Sequence, residues 1–201
     1  MKASLQLIDR MKNDPSPKRL DNLIGLSIKS LDKVRVLIED LLNVSKLNQG
    51  QLHFNKTLFS LTKVVDECCH HVRMDGKYTI ITTGDRDLKV YADADRIDHV
   101  VVNFVNNSIK YAPNTKEILI NVKKIENMVK LSVIDKGPGI SVDKLSHLFE
   151  RYYWVYEEGN QTFGLGFGLF ICSEIIKKHN GQIGVNSVIG ESSTFWFTLP
   201  L

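Results

Sequence analysis

Three short blocks decide the fold, and the last of them is GLGFGL at residues 164–169. It is preceded by DKGPGI at 135–140 and by NFVNNSIKY at 103–111. Glycines placed where a loop meets a helix let backbone N–H groups approach a phosphate with no Cβ in the way, and the helix N-terminus adds a partial positive charge. Three such blocks in this order are far more specific than a lone glycine motif. They predict a nucleotide-binding site.

Composition limits the classes of protein that fit. The chain has 201 residues, 43% of them hydrophobic, which suffices for one domain of ordinary size and a smaller element. No apolar run reaches the roughly 18 residues needed to span a bilayer, and the N-terminus lacks the long apolar region of a secretory signal. We therefore expect a cytoplasmic chain outside the membrane. The 26 basic and 23 acidic residues are well mixed, so no charge block predicts binding to nucleic acid.

The cysteines are Cys68, Cys69 and Cys172. An odd count without a CxxC spacing favours free thiols in a reducing compartment. The run CCHH at 68–71 contains residue types that bind metals. However, four consecutive residues point to different sides of a helix and cannot converge on one tetrahedral ion. A helix with buried thiols is the better interpretation.

A long helix is predicted over 20–48, because apolar and small residues recur at alternating spacings of four and three. Residues 1–12 have the pattern of the end of an earlier helix, and NDPSP at 13–17 separates the two. Such a seam needs a partner, so we expect a helical hairpin that pairs with its copy in a second chain as a four-helix bundle. The alternative is that the hairpin packs on its own globular domain. The seam consists of Leu20, Ile24, Ser27, Leu31, Val34, Ile38, Leu41, Ser45 and Asn48.

The rest of the chain mixes helices and strands. Strands are predicted over 52–59, 78–83, 88–91, 118–122, 129–133, 183–185 and 195–199, and helices over 61–74, 93–111, 142–149 and 166–179. The strands at 118–122 and 129–133 form a hairpin that delivers Asp135 to the sheet edge. These elements predict an α+β fold, a two-layer α/β sandwich with helices on one face of a mixed, antiparallel-rich sheet, preceded by the α-helical hairpin.

The helix that contains the first block carries a polar face beside its apolar one. His99, Asn103, Asn107, Lys110 and Tyr111 follow spacings of four, four, three and one, which places them on one side of the helix. Taken singly, each asparagine fits a solvated helix position and each glycine an ordinary turn. Their joint occurrence favours a site. For His99 we expect a supporting or solvated role and no direct chemistry.

These blocks resemble those of the ATP-binding catalytic domain of sensor histidine kinases, in the superfamily shared with gyrase, heat-shock protein 90 and MutL. The segment 93–113 is similar to the family's asparagine box, DKGPGI to its first glycine box, LFERYY at 148–153 to its phenylalanine box and GLGFGL to its second glycine box. Residues 1–48 resemble part of the family's dimerisation and phosphotransfer hairpin. The resemblance therefore implies a partial hairpin at 1–50 and a catalytic domain with the Bergerat-type ATP-binding fold at 51–201.

The resemblance also implies Mg-ATP as the bound nucleotide. It implies that Asn107 coordinates Mg²⁺, that Asn103 and Lys110 act beside it in phosphoryl transfer, and that Tyr111 packs on adenine. Asp135 is implied to accept the exocyclic amine of adenine, and the loop after the phenylalanine box to form a lid. Further contacts to the nucleotide or its lid are implied for Gly137, Gly139, Ile140, Phe149, Arg151, Gly164, Leu165, Gly166, Phe167, Gly168 and Leu169.

The implied activity is that of an ATP-dependent protein-histidine kinase in a two-component system. Such a kinase transfers the γ-phosphoryl of ATP to a histidine of its first helix, and a response regulator's receiver domain then takes it on an aspartate. The motif around that histidine is absent from this chain, whose histidines are His53, His70, His71, His99, His147 and His179. We expect the chain to begin just after that motif and to be unable to autophosphorylate there. We also expect that the full-length parent protein can be anchored in a membrane.

Two other functions stay open. An ATP-hydrolysing conformational ATPase of the same superfamily would carry a glutamate at the position of Asn103, and an amide cannot act as a general base. A non-catalytic nucleotide-binding dimerisation module is the second alternative, and the presence of Asn107 and Asp135 argues against it. The chain departs from the family's pattern at Ser108, Phe163, Phe167 and Asn180, where alanine, a small residue, leucine and glycine are usual.

Overall fold

The computed structural model describes residues 17–49, 53–112, 115–153 and 166–201. The predicted first helix at 1–12 lies outside the described residues. The helices are α1 (Pro17–Asn48), α2 (Leu61–Cys68), α3 (His70–Asp75), α4 (Ala94–Tyr111), α5 (Val142–Leu145) and α6 (Gly168–Lys178). The strands are β1 (Thr57–Ser60), β2 (Thr79–Gly84), β3 (Lys89–Ala92), β4 (Glu117–Ile125), β5 (Met128–Asp135), β6 (Ile183–Val188) and β7 (Ser192–Pro200).

The strands of the main sheet run in the order β2-β4-β5-β7-β6. Strand β2 is parallel to β4, and every other neighbouring pair is antiparallel. Strands β1 and β3 form a separate antiparallel pair. The register places Asp135, the last residue of β5, opposite Ser193 of β7. The predicted mixed, antiparallel-rich sheet is therefore confirmed.

The core lies between this sheet and the helices α4 and α6. Alternate residues of β5 and β7 are buried, as the period of two along a strand requires. Phe104 of α4 packs on two of them, with ring centroids 5.5 Å from Phe195 and 6.2 Å from Phe197. Burying each such side chain contributes about 1.5–3 kcal/mol. The opposite face of the sheet is more open, and there Lys130 lies over the ring of Trp196. This arrangement confirms the two-layer sandwich.

The start of α4 is connected to the end of α6 by hydrogen bonds. These hydrogen bonds position the two helices that bear the asparagines and the second glycine block. Asp93 caps α4, since its Oδ1 accepts a hydrogen bond from the backbone N–H of Arg96 at 3.1 Å. The N–H of Asp93 donates to Nε2 of His179 at 3.0 Å. The Nδ1 of His179 lies 2.8 Å from the carbonyl oxygen of Ile175 and donates to it. Burial lowers the pKa of His179, which suits the neutral ring that both contacts need.

Helix α1 begins at Pro17, earlier than predicted, because proline is well suited to the first helical turn. Its C-terminal part packs on α6, and Val44 joins the core of the sheet layer. The predicted alternative, packing of this helix on its own domain, is thus realised for that part. The seam is nevertheless open, because its apolar members Ile24, Leu31, Val34, Ile38 and Leu41 are 42–54% exposed. Among the described residues, no helix is long and apolar enough to cross a bilayer.

The single helix predicted over 61–74 is wrong, because two helices, α2 and α3, occupy this segment. At the break the Cys68 thiol donates to the carbonyl oxygen of Val65, which also accepts the N–H of Cys69. A side-chain donor of this kind competes with the helical ladder. Both thiols are buried, as predicted.

Two other elements are shorter than predicted. Strand β1 begins only at Thr57, after an unpaired segment at 53–56 that Asn55 attaches to Asp93 through a 2.7 Å hydrogen bond. The helix predicted over 142–149 ends at Leu145 and continues as turns.

Candidate nucleotide site

One asparagine of α4, Asn103, lies against the first residue of α6, and a second, Asn107, is hydrogen-bonded to it. The side-chain nitrogen of Asn107 donates to Oδ1 of Asn103 at 3.2 Å. A Cβ added to Gly168 would be 2.5 Å from Nδ2 of Asn103. Glycine at 168 therefore lets the N-terminus of α6, with its unpaired N–H groups and partial positive charge, approach the amide of Asn103. The structure thus brings together the first and third sequence blocks.

The donor set around Asn107 fits Mg²⁺ only as part of a nucleotide complex. Since its nitrogen faces Asn103, the oxygen of Asn107 is the atom left for a ligand. Within the described part of the chain, no group of three or more histidine, cysteine or acidic side chains could hold a metal ion. Mg²⁺ commonly keeps several waters and takes phosphate oxygens beside one or two protein ligands. The single amide oxygen of Asn107 is consistent with this coordination of Mg²⁺.

Asp135 ends β5 as a buried carboxylate that accepts hydrogen bonds from Ser108, Gly137 and the backbone of Ser193. Ser108 donates from Oγ to Oδ2 at 3.0 Å, and the N–H of Gly137 donates to Oδ1 at 3.0 Å. Burial raises the pKa of Asp135, while the hydrogen bonds from Ser108, Gly137 and the backbone of Ser193 lower it. A carboxylate offers about four lone pairs, so beside these three donors Asp135 can still accept a hydrogen bond from a bound amine.

Gly137 is required by the crowding around that carboxylate. A Cβ at this position would lie 2.7 Å from Oδ1 of Asp135 and 3.0 Å from the Cβ of Ala112. It would also lie 3.4 Å from the carbonyl oxygen of Tyr111. The C-terminal end of α4 therefore adjoins the DKGPGI loop. The second block thus lies next to the other two at the C-terminal end of β5, the middle strand of the sheet.

The rest of the DKGPGI loop rests on the turn between β6 and β7. Gly139 has φ +72°, and a Cβ there would be 2.3 Å from the carbonyl oxygen of Val188. The N–H of Ile140 donates to Oγ of Ser187 at 2.9 Å, and Gly190 donates to the carbonyl of Pro138 at 2.8 Å. These contacts give Gly139 and Ile140 a structural part in holding the loop.

Lys110 and Tyr111 are paired with each other. The ammonium of Lys110 donates to the hydroxyl of Tyr111 at 2.9 Å and lies 4.7 Å from the centre of its ring. No contact to Asn103 or Asn107 is found for Lys110 among the described residues. The structure therefore places the backbone of Tyr111 beside the DKGPGI loop, whereas Lys110 is exposed to solvent.

The phenylalanine block meets the start of α6. Phe149 is half-buried against the core, and the guanidinium of Arg151 lies 4.6 Å from the ring centre of Phe170. Phe167 is buried, caps α6 and packs on the Tyr152 ring at 4.8 Å. Phe149 thus packs against the core beside the start of α6, and its implied contact to the nucleotide or the lid stays a prediction.

Gly166 holds these two segments together. It has φ +70°, and a Cβ there would be 2.8 Å from the carbonyl carbon of Tyr152. Leu169 is half-buried and packs against the core. The predicted contacts of Gly164 and Leu165 lie outside the described residues.

Of the two roles expected for His99, the solvated one is wrong. Its Nε2 is buried and has no hydrogen-bond partner among the residues the structure describes. Burial, and after it the nearby charge of Arg96, lowers the pKa of His99, whereas Glu39 of α1 acts in the opposite direction. Arg96 also donates to Asn43 of α1 at 3.3 Å. His99 therefore belongs to the contact between α4 and α1.

Two hydroxyls that support the site are not evident from the sequence. The pattern marks Ser108 only as a departure from the family's alanine, and it does not mark Ser187. The available signal for Ser108 is a hydroxyl on the apolar face of the helix, next to Asn107. No signal in the sequence points to Ser187, because its partner Ile140 lies 47 residues away.

Residues 92–201 match the family model described as "Histidine kinase-, DNA gyrase B-, and HSP90-like ATPase". This span contains all three blocks and the whole of α4, α6, β4 and β5. The chain belongs to this ATPase family. The family match covers the site that the geometry assembles, from the cap of α4 to the last strand.

A similar protein of known name is a sensory kinase, in agreement with the family match. The chain is 33% identical over 207 residues to the adaptive-response sensory kinase SasA of Crocosphaera subtropica, covering 98% of this chain and 54% of SasA. It thus spans about half the length of that relative.

Two solved structures share the fold. Full-length ShkA in complex with AMPPNP matches with TM-score 0.73 and 23% identity over 94% of this chain and 40% of ShkA. The histidine kinase ThkA in complex with the response regulator TrrA matches with TM-score 0.71 and 22% identity over 98% of this chain and 56% of that one.

Proposed function

We propose that this chain is the catalytic part of a two-component sensor histidine kinase, with residues 1–50 as part of its helical hairpin and 51–201 as its ATP-binding domain. One observation carries the proposal, namely that the amide of Asn103 lies against Gly168 at the start of α6 and accepts a hydrogen bond from Asn107. A helix N-terminus attracts a polyphosphate, and a nearby amide oxygen suits the Mg²⁺ that accompanies it.

The other end of the site supports adenine as the base. Asp135 is a buried acceptor whose protein donors leave a lone pair free, so it can accept a hydrogen bond from the exocyclic amine of adenine. Gly137 keeps the space beside it free of side-chain atoms. The backbone of Tyr111 lies next to this loop, and its aromatic ring would pack on the base.

Each residue of the phosphate end has a proposed task. Asn107 would hold Mg²⁺ through its amide oxygen, and the metal, when bound, neutralises charge on the phosphates. Asn103 orients the Asn107 amide through their hydrogen bond. Lys110 would leave the Tyr111 hydroxyl and reach a phosphate on its flexible stem. Gly166 and Gly168 let the backbone approach the phosphates.

Kinase chemistry is favoured over ATP hydrolysis by Asn103. Hydrolysis needs a group that takes a proton from water, and an amide has no such capacity. In phosphoryl transfer most of the protein's work is positioning and charge stabilisation, which amides and a helix end can supply.

The proposal extends to the partners of the full-length protein. The γ-phosphoryl would pass to a histidine of the helical hairpin and then to an aspartate in the receiver domain of a response regulator. The complex of ThkA with TrrA supports this, because it joins a kinase of the same fold to such a regulator. We place the chain in the cytoplasm as a homodimer, and a membrane anchor elsewhere in the parent protein is compatible with that placement.

Calorimetric titration of the chain with ADP tests the proposal, once with Mg²⁺ and once with EDTA. Wild type should bind ADP more tightly with Mg²⁺. Asn107→Ala should reduce that gain about tenfold or more, because the amide oxygen is lost. Asn106→Ala is the matched control, since Asn106 is the exposed neighbouring residue. A wild-type chain that binds no ADP, or an Asn107→Ala variant that keeps the full Mg²⁺ effect, would contradict the assignment.

A further inference from the structure

Ser108 and Asp135 form a buried polar pair between α4 and the end of β5. The two residues are 1% and 4% exposed, and the hydroxyl donates to Oδ2 at 3.0 Å. A hydrogen bond from a neutral hydroxyl to a carboxylate is charge-assisted and stronger than one between neutral groups. In a buried setting its loss is costly, because water cannot replace it.

The pair also determines how the carboxylate is oriented. Ser108 holds Oδ2 from the side of α4, while the N–H of Gly137 holds Oδ1 from the loop after β5. Two donors on different oxygens restrain rotation of the carboxylate plane. The free lone pairs therefore keep one direction, and a bound base meets an acceptor that is already in place.

We propose that Ser108 is a positioning residue for base recognition, and that its hydrogen bond to Asp135 makes the site select a base with an exocyclic amine over one with a carbonyl oxygen. This inference rests on the proposed function. At carbon 6, adenine carries an amine that donates to a carboxylate. Hypoxanthine and guanine carry an oxygen there, and two facing acceptors repel each other.

The protonation state of Asp135 acts in the same direction. Burial raises the pKa of the carboxyl, and the hydrogen bond from Ser108 is the first of the causes that lower it. Without that donor, burial raises the pKa of Asp135 further, and more of the carboxyl is neutral at mildly acidic pH. A neutral carboxyl can donate to a carbonyl oxygen, so it discriminates less between the two kinds of base.

The test compares ADP with inosine diphosphate, whose base is hypoxanthine, in calorimetric titrations with Mg²⁺ between pH 5.5 and 8. For Ser108→Ala we expect an affinity for ADP about tenfold lower than in wild type at pH 7.5, and a similar fall in the ratio of ADP to inosine diphosphate affinity. The pH below which ADP binding weakens should also move upward. A defect of packing alone would leave the base ratio and this pH unchanged.

Ser173→Ala is the matched control, because Ser173 is another buried helical serine, 4% exposed, in the second turn of α6. It should keep both affinities within about twofold of wild type. Ser108→Thr retains a hydroxyl and should restore the base ratio. Ser108→Cys keeps the volume with a weaker donor, and carries the same comparison if the alanine variant does not fold.

The outcomes separate the two hypotheses. A wild-type chain that binds neither nucleotide overturns the proposed function. A wild-type chain that prefers ADP, with Ser108→Ala or Ser108→Cys keeping the same preference and pH profile, overturns only the role of Ser108.

Discussion

The first residue of α6, Gly168, lies so close to Asn103 of α4 that a Cβ at 168 would be 2.5 Å from Nδ2. The two residues are 65 positions apart in the sequence, and their contact joins the polar face of one helix to the N-terminus of another. Asn103 in turn accepts the hydrogen bond from Asn107. A substitution at Gly168 should therefore displace the side chain of Asn103 and, through it, disturb Asn107, the proposed Mg²⁺ ligand.

Gly168→Ala should weaken nucleotide binding with little effect on folding. The atom in the way is the end of a flexible side chain, so Asn103 can turn aside, but its hydrogen bond to Asn107 is then lost. We expect the affinity for Mg-ADP to fall about tenfold, measured by calorimetry, with a thermal midpoint within a few degrees of wild type. Gly25→Ala in α1 is the control, because its Cβ would meet no atom within 4 Å. Unchanged affinity in Gly168→Ala would show that the contact has no part in binding.

Gly139→Ala should destabilise the chain more than Gly76→Ala. Both glycines have positive φ, of +72° and +67° respectively. The left-handed conformation alone costs an alanine about 1–2 kcal/mol. At Gly76 nothing lies within 4 Å of the added carbon, whereas at Gly139 it would be 2.3 Å from the carbonyl oxygen of Val188. Urea unfolding of the two variants measures the difference, and equal losses would refute a tight seat for the DKGPGI loop.

The stability of the chain should fall as the pH drops below the unfolded pKa of histidine, partly through His179. Burial lowers the folded-state pKa of His179, so the unfolded chain takes up the proton first. The stabilisation is present above about pH 6.5 and is lost as the pH falls toward the folded pKa, at about 1.4 kcal/mol for each pH unit that separates the two pKa values. Unfolding free energies between pH 5 and 8 measure this slope.

His179→Gln isolates the histidine's share of that slope. The variant should lose about 1–3 kcal/mol at pH 7.5, because the contacts to Asp93 and Ile175 are disturbed. It should also show a shallower slope below pH 6.5. His147→Gln is the control, since His147 is exposed and contacts Glu150 at the surface. A His179→Gln variant with the wild-type slope would mean that His179 does not cause it.

Charged residues in the seam of α1 should abolish the proposed dimer without affecting nucleotide binding. Leu31 and Ile38 are 54% and 52% exposed in the single chain, and burying them against a second copy would contribute about 1.5–3 kcal/mol each. Leu31→Glu and Ile38→Glu should each give a monomer in sedimentation at micromolar concentration. Val36→Glu is the control, because Val36 is equally exposed but lies off the seam. A strictly monomeric wild type would rule out the dimer.

Local patterns were sufficient to predict most of the sheet layer. Strands β4, β5 and β7 alternate between buried and open residues, and a period of two is visible in the letters themselves. Helix α4 was predicted over 93–111, and its first predicted residue, Asp93, caps the observed helix, since aspartate is a residue type that accepts from the first-turn N–H groups. The three blocks, read with the family resemblance, predicted the site around Asn103, Asn107, Asp135 and their glycines.

Local patterns failed where a competing contact decided the outcome. The break between α2 and α3 falls at Cys69, and helical periodicity carries no sign of it. The spacing of Lys110 gives no sign that its ammonium donates to the Tyr111 hydroxyl. His99 shares the spacing of Asn103, but its Nε2 is buried.

The sequence by itself determined the helical and strand periods, the capping residue Asp93 and the three blocks, because each of these depends on residue types at short spacing. The tertiary structure alone decided that the hydroxyl of Ser108 would meet the carboxylate of Asp135, 27 residues further along the chain. That contact depends on the depth and rotation with which α4 packs against β5. Side-chain volumes throughout the core set both, and no short stretch of the chain contains them.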